Sequence, residues 1–130
     1  MLDHVSIPVR DAIRAALFYD AVLATLGLRR VKEVGGAIGY GHEAGWPVFW
    51  LEPDLHPESG KSAHPGIGLH ISFRASSPSE VQAFHTAALA NGGCDAGAPG
   101  PRPQYSPGFY GAFAFDPDGF KVEAVAREDA

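Results

Sequence analysis

The chain has 130 residues, 45% of them hydrophobic and 19% charged, with a formal net charge of −5. A chain of this length buries roughly two thirds of the surface its unfolded form exposes, so one core sustains it and a single domain is expected. The ten Lys and Arg are scattered, which argues against nucleic acid as a partner; no apolar run approaches the ~20 residues of a membrane span, and the opening MLDHVSIPVRD does not read as a signal peptide, so a cytoplasmic location is expected.

In chain order, Leu2 to Val9 alternates and is rich in β-branched residues, predicting a half-buried strand with His4 and Ser6 on one face and Val5 and Ile7 on the other. Asp11 reads as a helix N-cap. Ile13, Leu17, Phe18, Ala21, Val22 and Leu26 recur at helical spacing, and Gly27 follows as a stop. Leu28 to Val34, Ala37 to Gly41 and Pro47 to Leu51 read as three short strands. Residues 53–65 (PDLHPESGKSAHP) are polar and proline-rich, suiting an exposed connection. The pattern then begins again: Gly68 to Arg74 as a strand, and a helix from Ser77-Pro78 to about Ala90, closed by Asn91, Gly92 and Gly93. Gly97 to Gly108 reads as a loop, and Tyr110 to Phe115 and Phe120 to Val125 read as strands around the turn Asp116 to Gly119. The lone Cys94, in NGGCDAG, reads as a bystander that excludes both an internal disulfide and a cysteine zinc cluster.

The second half repeats the first. An offset of 66 carries His4 to His70, Ser6 to Ser72, Phe18 to Phe84 and Gly27 to Gly93; an offset of 73 carries Val48 to Leu51 onto Lys121 to Ala124. The predicted fold is therefore α+β, two tandem βαβββ modules (about 1–52 and 66–127, joined by 53–65) forming a cupped mixed sheet. Equivalent positions face one another about the pseudo-twofold axis, His4 opposite His70 and Trp50 opposite Glu123. Three of these four are metal-ligand types. Two His and one carboxylate with open positions suit Zn, Mn, Fe, Co or Ni, so His4, His70 and Glu123 are the expected ligands; no nucleotide or flavin is implied. Trp50, Glu52, Arg102, Tyr105 and Tyr110 are the expected pocket residues, with Arg102 able to meet an anionic substrate through its planar fork, although an exposed loop Arg is more often simply solvated, and with Glu123 or Glu52 as the candidate base. His42, His56 and His64 carry no spacing signal.

LDHVSIPVRD with FYDAVLATLGL, GLHISF with FHTAALANGG, and YGAFAFDPDGFKVEAV resemble the opening strand and helix, the second-module start and the closing hairpin of vicinal oxygen chelate proteins. These comprise the glyoxalase, bleomycin-resistance and extradiol-dioxygenase group. The resemblance covers nearly the whole chain. It implies a homodimer binding a small molecule, with His4, His70 and Glu123 at three of the family's metal positions and a lyase, isomerase or dioxygenase reaction. It departs at the fourth position, where glyoxalases I usually carry Glu or Gln and this chain has Trp50. An indole neither binds metal nor takes a proton, so the resemblance weighs against glyoxalase I proper. The alternative it leaves is a metal-free protein that sequesters a drug or other ligand, as bleomycin-resistance members do.

Overall fold

Strand β1 (Val5–Val9) pairs in parallel with β4 (Phe49–Pro53), and β3 (Ala37–Gly41) and β2 (Arg29–Val34) complete a four-stranded sheet in the order β1-β4-β3-β2. The second half builds the same object: β5 (His70–Arg74), β8 (Lys121–Arg127), β7 (Phe109–Phe115) and β6 (Cys94–Pro101), in the order β5-β8-β7-β6. The computed structural model describes residues 1–53 and 69–127. The expected connection beyond residue 53, with His56 and His64, lies outside the described residues. The expected α+β architecture of two βαβββ modules is the one observed, each module contributing a four-stranded mixed sheet.

The repeat holds to the residue. Helix α1 (Ala12–Ala24) and helix α2 (Pro78–Ala90) are related by 66 at both ends, and so are their N-caps. Asp11 Oδ1 accepts from the backbone N–H of Ile13 and Arg14, while Ser77 Oγ accepts from Glu80 N–H. The parallel registers pair Ser6 with Trp50 and Ser72 with Glu123, so Trp50 and Glu123 are equivalent, as the offsets of 66 and 73 require. The helix stops differ by one position. Gly27 (φ 80°) takes the left-handed turn after α1, but after α2 it is Gly92 (φ 95°). Gly93 is instead a close-approach point, where a Cβ would lie 2.6 Å from the Phe18 ring.

Two expectations fail locally. Ile13 and Leu17 are 78% and 64% exposed, and α1 buries Ala15, Ala16, Phe18, Tyr19, Val22 and Leu23 instead. The apolar stripe is wider than the one buried face, and the small residues Ala15 and Ala16 take the closest packing. The segment expected as a loop from Gly97 contains the second half of strand β6, which begins at the exposed Cys94. Gly97, Pro99, Gly100 and Pro101 mask it in the sequence. An edge strand tolerates Pro because its outer N–H groups need no partner, and its register slips at Asp95/Gly97 and Gly97/Gly100.

One core spans both modules. Val9, Phe18, Tyr19, Val22, Phe49 and Leu51 of the first pack with Val81, Phe84, Val122 and Ala124 of the second. Phe49 meets Phe73 edge to face, with ring centroids 5.3 Å apart. A buried polar clamp ties the modules together: the Tyr19 hydroxyl donates to Asp116 Oδ2 at 2.5 Å, while Asp116 Oδ1 accepts from the Asp118 and Phe120 N–H groups. The expected turn Asp116 to Gly119 thus folds around its own first side chain. Burial pushes the Asp116 carboxyl up from its ordinary value and the Tyr19 hydroxyl well up from its own.

Candidate functional site

Strand alternation decides which side chains leave this core. On β8, Val122, Ala124 and Ala126 join the core, so Lys121, Glu123 and Arg127 take the opposite, open face of the sheet. On β7, Ala112 and Ala114 are in the core with Tyr110 packed against them, which puts Phe109, Gly111 and Phe113 on the open face. On β5, Ile71 and Phe73 pack inward, leaving His70, Ser72 and Arg74 outward.

Here the second sheet holds a cavity of about 290 Å³ lined by His70, Tyr105, Phe109, Phe113, Lys121 and Glu123. Glu123 is only 3% exposed. Its Oε1 lies 3.4 Å from His70 Nε2, and its Oε2 is buried with no hydrogen-bond partner among the described residues. A buried carboxylate oxygen without a partner is costly. Gly111 makes room for it, since a Cβ there would stand 3.2 Å from Oε2. The 3.4 Å separation is long for a hydrogen bond. It does match the ~3.4 Å that separates two ligands each ~2.1 Å from a tetrahedral ion. The pair therefore fits a divalent cation.

His4 sits one residue ahead of β1, with its Nδ1 2.6 Å from Asp3 Oδ2. A carboxylate on Nδ1 fixes the proton there and leaves Nε2 as a free donor, the arrangement found behind metal-bound imidazoles. His4 and Trp50 together border a cavity of about 280 Å³ with Asp3, Gly45, Trp46 and Pro47, and another of about 400 Å³ with Lys32, Val34, Ala37 and Glu52. Trp50 therefore lines the open face beside His4, and Glu52 follows it two residues on. A Cβ on Gly39, the residue paired with Trp50, would lie 3.1 Å from two atoms of the indole and 2.7 Å from Pro47. Only glycine leaves the indole this floor.

Within one chain the three expected ligands do not gather. His70 and Glu123 share a cavity, whereas His4 lies on the other sheet, and no group of three His, Cys, Asp or Glu placed to hold a metal occurs among the described residues. His4 does share a cavity of about 320 Å³ with Ser72 and Arg74 of β5, but neither His70 nor Glu123 lines it. Two expected pocket residues also move. Arg102 commits its guanidinium to the carbonyls of Ala98 (2.8 Å), Gly100 (2.9 Å) and Gly111, and so staples β6 to β7 rather than reaching for an anion. Tyr110 is one residue out of phase. It packs on the helix side, where its hydroxyl accepts from Gln82 Nε2 at 2.9 Å. Tyr105 does line the cavity. Phe113 and Lys121 went unassigned, although the period-two spacing of Phe109, Phe113 and Lys121, Glu123 in FYGAFAF and KVEAVAR carries the signal.

A family model described as the Glyoxalase/Bleomycin resistance protein/Dioxygenase superfamily matches residues 1–124. The chain belongs to this superfamily. A glyoxalase/bleomycin resistance protein from Albidiferax ferrireducens is similar at 34% identity, with 98% of this chain and 99% of that one covered and a TM-score of 0.85. A glyoxalase-related enzyme from Fulvimarina pelagi shares the fold at 19% identity, with 98% and 88% covered and a TM-score of 0.73. The fosfomycin resistance protein FosX from Mesorhizobium loti shares it at 17%, with 97% and 91% covered and a TM-score of 0.67. Among curated proteins no sequence matches. As a superfamily member the chain has the two βαβββ modules seen here, and among its described residues no helix is long and apolar enough to cross a membrane.

Proposed function

We propose that the protein binds a small molecule bearing two vicinal oxygens at a divalent-metal site held by His70 and Glu123 of one copy and His4 of a second, as a homodimer. The reaction class is that of a lyase, isomerase or dioxygenase. The observation that carries this reading is the buried, unpartnered Oε2 of Glu123 beside His70. Among the described residues nothing compensates that oxygen, and an isolated buried carboxylate is strongly disfavoured without a cation. Two copies related by a twofold axis exchange equivalent surfaces. Such an axis brings the open face of one first sheet, with His4 and Trp50, against the open face of its partner's second sheet, with His70 and Glu123.

When bound, a divalent ion such as Zn, Mn, Fe, Co or Ni would polarise the two substrate oxygens. The chain's own residues supply the rest. Asp3 holds the His4 tautomer, Gly111 leaves room for the Glu123 carboxylate, and Phe109, Phe113 and Tyr105 line the cavity with aromatic surface. Trp50 presents a flat apolar wall where glyoxalase I would need a proton acceptor, so Glu123 and the more distant Glu52 are the groups left to serve as base. A second reading is ligand sequestration without metal, for which the aromatic lining of Tyr105, Phe109 and Phe113 supplies the binding surface. Metal analysis of protein purified without chelator, alongside His4→Ala and His70→Ala, separates the two. Metal lost in both variants favours the metal site, and none in the wild type favours sequestration.

A further inference from the structure

We infer that the substrate of this pocket is an aromatic anion and that Lys121 is the residue that selects it. The inference rests on the pocket assignment above. Lys121 stands two residues before Glu123 on the same face of β8, is paired in register with His70, and lines the same cavity. Its Nζ lies over the Phe113 ring, 4.7 Å from the centroid. Among the described residues it makes no ion pair, whereas Arg30 is bound by Asp20 and Glu33, and Arg10 approaches Asp118. Arg102, the other cation against Phe113, is spent on backbone carbonyls. Among the described residues, Lys121 is therefore the free cation of the lining.

The charge of the whole face agrees. In a chain of net charge −5, the open face of the second sheet sets Arg74, Arg102, Lys121 and Arg127 against Glu123 alone among its described residues, a local field that favours an anion. The other walls are Tyr105, Phe109 and Phe113, the first two packed edge to face with centroids 5.2 Å apart. An aryl ring fits against these rings while its carboxylate meets the ammonium. Trp50 of the second copy supplies a further stacking wall.

Benzoate and benzamide, equal in shape and different in charge, test this by titration calorimetry on the zinc-loaded wild type, Lys121→Gln and Lys121→Arg. Benzoate is expected to bind the wild type about tenfold tighter than benzamide. Lys121→Gln should abolish that difference while leaving benzamide affinity unchanged, and Lys121→Arg should keep it. Equal affinities in the wild type, or a preference that survives Lys121→Gln, overturn the role of Lys121 while leaving the pocket standing. A Lys121→Gln variant that dissociates into single chains would instead make Lys121 an interface residue and also overturns it. Failure of both probes to bind, with zinc absent from the protein, overturns the pocket itself and this inference with it.

Discussion

Glu123 and Trp50 occupy the same register position in the two sheets, each opposite a serine. Glu123→Gln keeps the shape but removes the charge, and metal content measured by elemental analysis should fall by tenfold or more, about 1.4 kcal/mol of binding or above. Trp50→Glu should do the reverse, completing a four-ligand set and tightening zinc about tenfold in a competition titration. The wild type should show no turnover of methylglyoxal with glutathione, because the indole takes no proton; robust turnover would make Glu52 the missing base. Asp116 has a different kind of importance. Asp116→Ala strands the buried Tyr19 hydroxyl and two N–H groups and should cost about 2–4 kcal/mol in denaturant unfolding. Because burial raises the folded carboxyl's pKa, the folded state holds the extra proton between the unfolded and folded values, and stability falls as pH rises through that window. Asp116→Asn retains the oxygen that accepts from the two N–H groups and should flatten that fall.

The elements were largely legible because their signals are local. Asp11 and Ser77 are good caps followed by helical spacing, and both helices begin where those residues say. Asp11→Ala should lower stability by about 1 kcal/mol in thermal or denaturant melts. What stayed hidden depends on contacts distant in sequence. Strand β6 is held by pairing with β7 and by the Arg102 staple, neither of which shows in a segment dense with Gly and Pro. The exposure of Ile13 and Leu17 follows from which face of α1 meets the shared core. Of the expected site, the Trp50–Glu123 equivalence was readable from the repeat and recurs in the strand registers. Arg102 was not, since its partners are backbone carbonyls that carry no sequence mark.

At the scale of the whole molecule, the helix-side faces of both sheets close one core and leave the faces bearing His4 and His70 open. Across the chain, the Asp20 carboxylate responds to acid: although its partial burial acts to raise its pKa, hydrogen bonds from Arg30 and Tyr40 outweigh this and hold it below the ordinary value. The stability it adds is present above the unfolded aspartate pKa and lost as pH falls through the folded one, so Asp20→Asn should blunt acid unfolding. The central claim is that the ligands come from two copies. Mixing His4→Ala with His70→Ala, after unfolding and refolding together, tests it most directly. If each site takes His4 from one copy and His70 from the other, half the refolded dimers are mixed and each carries one intact site, so metal content should return to roughly a quarter of the wild-type value. If the mixture binds no more metal than either variant alone, the site is not shared between two copies.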